Sequence, residues 1–591
     1  MNTSRNTFKN NSYTFFGFPE RIDARQRFLP YALLLAVTFA LYATTLYFNF
    51  VWDDIAYVER NYRIHGLSLA RLWAIWTNTY MGHYAPIQHT FLAILHSFSG
   101  LEALGYHLGH LLVHAGCVCL LYFILKKLEA PRVALLASLL FAVYPANIET
   151  VAWISETKST LAFFFFLLSF WFFIRLRERE RWSDGILCSL LFILSLLAKV
   201  NTIVAPAIFL LYDYKQGFSF KKSRVGSLGW FFLMSAIFTA IHLSAFYASQ
   251  DTLDTSYYGG LGLHLQNFPQ LVLFYIRMVV FPHPLSAWQM AVIYEDFNWV
   301  LGVGWCAVLG IFWLLYRSNR STQFWGLWFF VFLAPVLQIV PFPIWIADRY
   351  LYIPAIGMFV LGSKLFFLVG DRFARLWQRL GWEMVMGAVL LAFAWHTQNH
   401  LPVWSNNLTL WAATTQTCMT SAYCHNNLGL ALLRNGKTEQ GVKELIQAVE
   451  IRAHPRYLTY LGDAYTLGVK DYRQGLIAYN MALEQGGSYI TAEFYSKLAR
   501  AHYWAGNPDQ AIRAMEAGKN LDPNDPSVLV IDGFLKWKQG NLEDARQSLR
   551  TALILTGQTS NPAGFLYRFW GDAGEVGRLL SDLRSLPEQN R

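Results

Sequence analysis

The sequence predicts an all-α protein in two parts, a membrane-embedded helix bundle followed by an α-solenoid. Hydrophobic residues make up 54% of the 591-residue chain and charged residues only 15%, which is typical of a polytopic membrane protein. Apolar segments of roughly membrane-crossing length recur up to about residue 400, and a helical repeat with small residues at regular spacing follows. We therefore expect a membrane domain over residues 1–400 and a solenoid over residues 401–591.

The first long apolar segment covers residues 31–50, twenty residues without a formal charge. That length crosses a hydrocarbon layer of about 30 Å as a helix. A polar stretch precedes it, no small-residue cleavage site follows it, and many similar segments come later, so we interpret it as a permanent span and not as a signal peptide.

Clusters of Lys and Arg separate the later apolar segments and predict their orientation, because short basic loops stay in the cytoplasm. The clusters are Arg5, Lys9, Arg21, Arg25 and Arg27 in the N-terminal tail, Lys126, Lys127 and Arg132, and residues 175–181, 215–224, 317–320 and 371–379. This order predicts a cytoplasmic N-terminus. It also indicates that the net charge of +10 reflects topology and not nucleic-acid binding.

Eleven spans fit between these clusters. We expect them near 31–50, 104–125, 131–145, 158–174, 185–199, 201–214, 226–247, 298–316, 323–341, 351–370 and 382–397. An odd number of spans places the solenoid outside the cytoplasm, together with the loops 51–103, 146–157, 248–297 and 342–350. The apolar residues 271–281 are too few for a span and predict an interfacial or re-entrant helix.

The C-terminal repeat is anchored by small residues at Gly429, Gly462, Ala499 and Gly533, spaced 33, 37 and 34 residues apart. This pattern resembles the tetratricopeptide (TPR) repeat, a pair of antiparallel helices whose small residues allow close approach. We expect three to four units with a groove that binds a peptide or a protein surface.

The cysteines do not suggest a metal site. Four of the six lie in predicted spans, where we interpret them as small apolar packing residues. Cys418 and Cys424 lie in the outer part, where an oxidising compartment permits a disulfide but the sequence leaves it open. No CxxC or HExxH spacing is present.

Trp52-Asp53-Asp54 follows the first span directly, so two adjacent carboxylates lie at the membrane surface. They could serve as a catalytic base or simply solvate the loop. Histidines crowd the same loop and the outer part of the next span, at positions 83, 89, 96, 107, 110 and 114. Because polar groups facing lipid are costly, we expect these imidazoles to face the bundle interior or a polar cavity.

Further ionisable residues lie at the predicted outer ends of spans: Glu149, Lys158, Lys199 and Arg349. Each cation could be a snorkelling anchor. Cations that converge on a cavity at the membrane surface would instead suit a lipid phosphate, and a neighbouring carboxylate could take a proton from a hydroxyl group.

Several motifs in order support the second interpretation. They are Phe50-Val51-Trp52-Asp53-Asp54, Tyr106-His107 through His114, Phe141-Ala142-Val143-Tyr144-Pro145, Val151-Ala152-Trp153-Ile154-Ser155-Glu156, Ala198-Lys199, Leu211-Tyr212-Asp213 and Ala347-Asp348-Arg349-Tyr350-Leu351-Tyr352. Together they resemble the bacterial relatives of the transmembrane-and-TPR O-mannosyltransferases, in the GT-C superfamily of polyprenyl-phosphate-sugar glycosyltransferases. The resemblance covers nearly the whole chain. Two positions differ from the family pattern, Tyr144 and Ala85, which leaves the donor specificity open.

The resemblance implies inverting transfer of a sugar from a polyprenyl-phosphate donor to an acceptor hydroxyl at the outer face of a bacterial inner membrane. Asp53 matches the catalytic carboxylate, and Asp54 would orient it or bind a metal ion. The remaining site residues are Lys199, Arg349 and Lys158 as donor-phosphate ligands, and His107, Glu149 and His110 as cavity lining. The acceptor, a protein or peptide, would bind the TPR groove. The two carboxylates permit a divalent cation but do not require one.

Two alternatives remain at the level of the sequence. A membrane-anchored scaffold would use the spans only to display the TPR groove, but it needs no ionisable residues at the span ends. A transporter for lipid-linked sugars would explain the buried charge but not the solenoid.

Overall fold

The computed structural model describes residues 24–217, 222–248, 260–339, 344–556, 558 and 561–584. These described residues are mostly helical and contain no β-strand, which confirms the predicted all-α class. They form two compact units, one ending at Asn406 and the other beginning at Asn407. Arg5, Lys9 and Arg21, and parts of the segments 215–224, 248–297, 323–341 and 342–350, lie outside the described residues.

The first unit is a bundle of long apolar helices with shorter helices between them. The helices are α1 Ala24–Tyr42, α2 Leu69–Thr77, α3 Pro86–Ser99, α4 Ala103–Leu128, α5 Pro131–Val143, α6 Asn147–Ala152, α7 Thr157–Arg179, α8 Trp182–Ala198, α9 Ala205–Lys215, α10 Lys222–Ala248, α11 Leu261–Val280, α12 Trp299–Arg317, α13 Arg320–Leu333, α14 Ala355–Gly370 and α15 Leu376–His400.

Helix α7 carries a buried aromatic face. Its phenylalanines at 163, 166, 170 and 173 recur at intervals of three and four residues, so they share one helix face. All four are fully buried, and Phe173 stacks on Phe209 of α9 at 4.3 Å between ring centroids. An aromatic core of this kind packs α7 closely against its neighbours.

The predicted spans correspond to helices, although several are short. Among the described residues, six helical segments are long and apolar enough to cross a membrane: Arg27–Tyr47, Ala103–Leu128, Ile154–Arg179, Val225–Ala245, Trp299–Arg317 and Leu376–Ser405. Shorter apolar helices cover α5, α8 and α14. Helices α9 and α13, expected as spans, have only 11 and 14 residues because 3-10 turns interrupt the helix at their ends.

Helix α11 is longer than the apolar pattern of residues 271–281 suggests. It has 20 residues and begins at Leu261, where polar residues and Pro269 break the apolar run. Its Pro269 faces Gly304 of α12, at which an added Cβ would lie 3.2 Å from the proline Cβ. The close approach of α11 and α12 therefore depends on a glycine that the hydropathy pattern does not reveal.

The second unit consists of consecutive antiparallel helix pairs after a first helix. The helices are α16 Asn407–Thr417, α17 Ala422–Arg434, α18 Thr438–Ile451, α19 Pro455–Asp463, α20 Tyr472–Gln485, α21 Ala492–Trp504, α22 Pro508–Leu521, α23 Pro526–Lys538, α24 Leu542–Thr556, α25 Pro562–Trp570 and α26 Ala573–Arg584.

The small residues that anchored the repeat lie where paired helices meet. A Cβ at Gly429 would lie 2.8 Å from Leu445 Cγ, and one at Gly533 would lie 2.6 Å from Leu549 Cγ. These four pairs, α17 to α24, agree with the predicted units, and α25 with α26 adds a further pair. The disulfide that the sequence left open joins Cys418 to Cys424.

Candidate active site

The adjacent carboxylates lie just beyond the first membrane-length helix. After the 3-10 turn Ala43–Tyr47 the chain continues in an extended conformation at Phe48. Trp52 then adopts a left-handed backbone with φ of 53°, which is uncommon for a bulky residue. Its indole stacks on that of Trp153 at 4.3 Å and 5°. This contact fixes the turn that carries Asp53 and Asp54.

Asp54 is buried and fully engaged by hydrogen bonds. Its Oδ2 accepts from the backbone N–H of Val51 at 3.1 Å, and its Oδ1 accepts from the backbone N–H and the hydroxyl of Ser155 at 2.7 and 2.5 Å. Burial raises the pKa of Asp54 to about 7, and these donors oppose the rise. Asp54 therefore ties the loop that follows α1 to the segment that precedes α7.

Asp53 is placed differently from its neighbour, because it is only partly buried. Its charge acts on the Lys158 ammonium and on the Tyr57 hydroxyl. The same ammonium lies over the Tyr57 ring, 5.1 Å from the centroid. Asp53 is thus a partly accessible carboxylate beside a buried cation.

Three cations converge on one buried carboxylate, that of Glu156. The Lys199 Nζ lies 2.8 Å from Glu156 Oε2, and Lys158 Nζ and Arg349 Nε each lie 3.8 Å from Oε1. Ser159 completes the cluster, since its hydroxyl donates to Glu156 and accepts from Lys199 at 2.7 Å. These residues come from the start of α7, the end of α8 and the turn before α14.

A second carboxylate holds Arg349 in place. Glu149 on α6 pairs with the Arg349 guanidinium and accepts from its backbone N–H at 2.8 Å. Burial raises the pKa of Glu149, and the charge of Arg349 opposes the rise. The neighbouring Asp348 accepts from the backbone of Ser286 at 3.0 Å and from Gln289 at 2.8 Å, which anchors the loop after α11.

The histidines divide into groups. His107, His110 and His114 are buried on one side of α4, as the sequence predicts, and His114 pairs with the Tyr352 hydroxyl at 2.7 Å. His110 interacts electrostatically with Glu156, whereas the His107 ring lies against Phe48 at 6.2 Å. Among the others, His89 stacks on Tyr57, and His96 stacks on His65.

The structure brings most of the predicted site residues together. Asp53, Lys158, Lys199, Arg349 and Glu149 belong to one connected network, and His110 lies at its edge. Asp54 is joined to it through Ser155, which precedes Glu156 in the chain. Glu156, Ser155 and Ser159 also take part in the network, and the sequence motifs alone assign no role to them. Glu156 stands two residues before Lys158 in the sequence. This proximity could have indicated its role, because a buried cation generally needs a carboxylate partner.

The network gathers three cations in one place. Lys158, Lys199 and Arg349 face the carboxylates of Glu149 and Glu156, and the charge of Asp53 also acts on Lys158, so the formal charges balance. Ammonium and guanidinium groups form strong charge-assisted hydrogen bonds with phosphate oxygens, so these three cations are the groups of the network that suit an anionic ligand. Within the described ranges, no three His, Cys, Asp or Glu side chains group as metal ligands.

A family model described as dolichyl-phosphate-mannose-protein mannosyltransferase matches residues 83–243. That range includes Glu149, Glu156, Lys158 and Lys199, but it ends well before Arg349 and begins after Asp53. It therefore covers the centre of the network and not its whole extent.

Relatives that match a larger part of the chain are named protein O-mannosyl-transferases. TMTC3 of Mus musculus is 22% identical over 88% of this chain and 60% of its own length. F38B6.6 of Caenorhabditis elegans is 23% identical over 71% of this chain and 62% of its own length. The chain therefore spans about three fifths of the length of these relatives.

Two solved structures show a weak likeness, each with a TM-score of 0.22. The crystal structure of MamA is 17% identical and covers 26% of this chain and 88% of its own. YrrB, a TPR protein with an unusual peptide-binding site, is 14% identical and covers 29% of this chain and 90% of its own. The conclusion rests instead on the family model and the sequence relatives: this chain is a distant relative of the protein O-mannosyl-transferases.

Proposed function

We propose that this protein is an integral-membrane glycosyltransferase that moves a sugar from a polyprenyl-phosphate donor to a hydroxyl group of an acceptor protein. The observation that carries the proposal is the convergence of Lys158, Lys199 and Arg349 on Glu156, beside the Asp53-Asp54 pair. The names of the relatives favour mannose as the sugar.

In the proposed reaction Asp53 is the general base. It takes the proton of the acceptor hydroxyl as the oxygen forms a bond to the anomeric carbon of the sugar. The bond from that carbon to the phosphate oxygen breaks, and the polyprenyl phosphate leaves with the electron pair. Direct displacement inverts the anomeric configuration. The partial exposure of Asp53 supports this role, because a base must reach its substrate.

The cations would stabilise the negative charge that develops on the leaving phosphate. Lys199, Arg349 and Lys158 are assigned to this role, and Glu156 and Glu149 keep them oriented when the donor is absent. Asp54 is assigned as an orienting residue and not as a metal ligand, since both of its oxygens already accept hydrogen bonds. His110 and His107 are assigned to the lining of the donor site.

We also propose that the reaction takes place outside the cytoplasm, with the N-terminus inside and the TPR unit on the outer face; in a bacterium this is the periplasmic side of the inner membrane. The order of the basic loops supports this topology. The Cys418–Cys424 disulfide supports it as well, because disulfides persist mainly in oxidising compartments. In this arrangement residues 1–400 catalyse transfer and residues 401–591 bind the acceptor.

A membrane-anchored TPR scaffold without catalysis is the competing function. It would account for the solenoid. It gives no reason for Lys158, Lys199 and Arg349 to share a buried carboxylate, since a membrane anchor needs no ionisable cluster.

Asp53→Asn is the decisive substitution. We expect it to lower transfer by about 10² to 10⁴, because the base is lost, while donor binding and thermal stability stay near those of the wild type. Transfer is measured with a polyprenyl-phosphate mannose and a Ser/Thr-rich protein acceptor, using purified protein in nanodiscs.

Glu59→Gln is the matched control, since Glu59 lies in the π-helical turn Ile55–Glu59 directly after the Asp pair and is also partly buried. It should leave transfer unchanged. Near wild-type transfer by Asp53→Asn would reject Asp53 as the base, and absence of any transfer by the wild type with several sugar donors would favour the scaffold.

A further inference from the structure

The last described helix pair of the TPR unit, α25 and α26, folds back onto the first helices of earlier repeats. Trp570 at the end of α25 stacks on Phe534 of α23, at 4.4 Å between ring centroids. It also contacts Trp504 at the end of α21, at 5.8 Å, and Arg500 of the same helix donates to the backbone oxygen of Phe569. A regular repeat contacts only its neighbours, so α25 covers part of the surface that the first helices form.

The turn between α25 and α26 reaches the second repeat as well. Gly571 lies in this turn with φ of 88°, and an added Cβ there would lie 2.5 Å from Leu467 Cδ2. Leu467 belongs to the π-helical turn Ala464–Val469 at the end of α19. The last pair thus crosses the first helices of the second to fourth repeats, and a long extended peptide cannot lie straight along them.

A cavity of about 620 Å³ lies between the second and third repeats, at the ends of α19 and α21. We call it the Trp504 cavity, and it is lined by residues 469–473, Leu476, residues 504–505 and Asn507. The rings of Tyr472 and Trp504 meet edge to face at 5.6 Å between centroids, and both side chains are only partly buried. Its volume falls in the range of about 300 to 1,000 Å³ that is usual for small-molecule sites.

The polar residues of the Trp504 cavity carry both signs of charge. Lys470, Asp471 and Arg473 are exposed, and the partly buried Asn507 adds an amide. Asp471 also caps α20, because its carboxylate accepts from the backbone N–H of Gln474 at 3.0 Å. This set offers both donors and acceptors of hydrogen bonds. It matches a neutral ligand with many hydroxyl groups better than a ligand with a single kind of charge.

A second cavity, of about 440 Å³, shares Trp504 with the first. Its lining also includes Tyr503 at the end of α21, and Asp572 and Glu575 at the start of α26. The Glu575 carboxylate is paired with Lys538 of α23. Trp504 therefore forms part of the wall of two neighbouring cavities, and each of them combines an aromatic side chain with polar groups.

Partly exposed aromatic rings beside donors and acceptors of hydrogen bonds are the chemistry that binds sugars. One face of a pyranose ring carries C–H groups, which pack on the negatively polarised face of an indole or phenol ring. The hydroxyl groups of the sugar exchange hydrogen bonds with charged and amide side chains. The Trp504 cavity has room for a short oligosaccharide, and the crossing of the first helices by α25 makes an extended peptide a poorer fit.

We propose that the Trp504 cavity binds a short neutral oligosaccharide, namely the glycan of an acceptor that already carries sugar. The identity of the glycan as a product rests on the proposed function, whereas the binding of sugar does not depend on catalysis. Binding of the product glycan keeps the acceptor attached to the protein, which raises its effective concentration for a further transfer.

Isothermal titration calorimetry of the full-length protein in nanodiscs tests the proposal. The probes are a mannotriose, a Ser/Thr-rich peptide that carries the same trisaccharide on one residue, and that peptide without sugar. Mannose is chosen because of the names of the relatives. We expect the trisaccharide and the glycopeptide to bind, and the bare peptide to bind about tenfold more weakly than the glycopeptide, or worse.

Trp504→Ala removes an aromatic wall from both cavities and should weaken binding of the trisaccharide about tenfold or more. Arg473→Gln should weaken it about threefold or more. Because Arg473 is exposed, this variant serves if Trp504→Ala does not fold, as judged by its thermal unfolding midpoint. Tyr567→Ala is the matched control, since Tyr567 is an exposed aromatic residue of α25 that lines neither cavity, and it should bind like the wild type.

Three outcomes would overturn the proposal. The first is that the wild type binds neither the trisaccharide nor the glycopeptide. The second is that a folded Trp504→Ala variant binds them as tightly as the wild type does. The third is that the bare peptide binds as well as the glycopeptide and both are lost in Trp504→Ala, which would make the cavity a peptide site.

The measurements separate this inference from the proposed function. If sugar binding depends on Trp504 but the wild type transfers no sugar, the Trp504 cavity stands as a sugar site and the glycosyltransferase proposal fails. If the wild type transfers sugar but its affinity for the trisaccharide does not depend on Trp504, the glycosyltransferase proposal stands and the cavity fails.

Discussion

Lys199 is the cation held closest to Glu156, and the single residue whose loss should most weaken donor binding. Lys199→Gln removes its charge, while Glu156 stays near Lys158 and Arg349, each at 3.8 Å. A hydrogen bond to a charged group contributes about 1.5 to 3 kcal/mol. We therefore expect the Kd for a polyprenyl-phosphate sugar to rise about tenfold to a hundredfold, measured by equilibrium binding in nanodiscs.

Lys127→Gln provides the comparison for this substitution. Lys127 pairs with Glu178 at 2.9 Å, but both side chains are more than 40% exposed, and such pairs contribute about 0 to 1 kcal/mol. Donor binding should be unchanged. A similar loss of donor affinity in both variants would mean that the overall positive charge of the protein, and not the Glu156 network, attracts the donor.

Asp54 should make stability depend on pH in a defined direction. Burial raises its pKa from 3.8 to about 7, so between about pH 4 and pH 7 the folded protein binds one proton more than the unfolded chain. Its contribution to stability therefore increases as pH falls through 7. From pH 8 to pH 5.5 the free energy of unfolding should rise by about 2 kcal/mol relative to Asp54→Asn.

Thermal unfolding midpoints of the two proteins at both pH values provide the measurement. The comparison between them removes the effects of other titrating groups, such as Asp348, whose pKa burial raises to about 8. Identical pH dependence in wild type and Asp54→Asn would show that Asp54 keeps an ordinary pKa.

At the residue scale the sequence indicated which residues lie near one another better than how they pair. The position of Asp53 and Asp54 after a span, and the cations at span ends, were visible in the order of residue types. The different burial of the two aspartates was not, because it depends on Ser155, about a hundred positions away. The role of Glu156 likewise depends on residues from three separate segments.

Among the helices, α13 and α14 make the contact most sensitive to a single added carbon. A Cβ at Gly357 of α14 would lie 2.2 Å from the backbone oxygen of Trp325 on α13. Backbone cannot move aside as a side chain does, so Gly357→Ala should destabilise the bundle by about 1 to 3 kcal/mol. It should also weaken donor binding, since α14 follows the 3-10 turn Asp348–Leu351 that carries Arg349.

Gly362→Ala on the same helix is the matched control, because nothing lies within 4 Å of an added Cβ there. Alanine is the better helix former by about 1 kcal/mol, so this variant should be as stable as the wild type or more so. Thermal unfolding and donor binding of the two variants test the contact. Equal thermal stability of Gly357→Ala and Gly362→Ala would mean that α13 and α14 can move apart without a loss of folding free energy.

At the element scale, periodic patterns predicted most of the helices and local interruptions accounted for the differences. The repeat of small residues identified the TPR pairs because each small residue is required by a close helix contact. It did not predict the π-helical turn Ala464–Val469 at the end of α19, which lies in the unit with the 37-residue spacing. Hydropathy alone missed the polar first half of α11.

The two-part organisation follows from composition, since an apolar bundle and a charged solenoid bury their surfaces in different ways. A membrane span buries its apolar side chains in lipid and against neighbouring spans. Each solenoid repeat instead packs mainly on the next repeat. The boundary between the two compact units falls after Asn406, and the composition changes near residue 400. The number of spans was harder to predict, because short apolar helices such as α9 fall below a single membrane thickness.

The TPR unit should be dispensable for the folding of the bundle. Removing residues 407–591 should leave the bundle folded, because the first unit is compact by itself. Donor binding should survive, since Lys158, Lys199, Arg349 and Glu156 all belong to that unit. Transfer to the native acceptor should fall, because a tethered acceptor site raises the local acceptor concentration, commonly to about the millimolar range.

Donor binding and acceptor glycosylation measured side by side in truncated and full-length protein distinguish the outcomes. A short peptide acceptor supplied at high concentration should restore transfer in the truncated protein, since it replaces the effective concentration that the solenoid provides. Undiminished transfer at low acceptor concentration would refute a recruiting role for the TPR unit. Loss of donor binding on truncation would instead make the solenoid a structural support of the bundle, and the acceptor would then have to be selected at the membrane site itself.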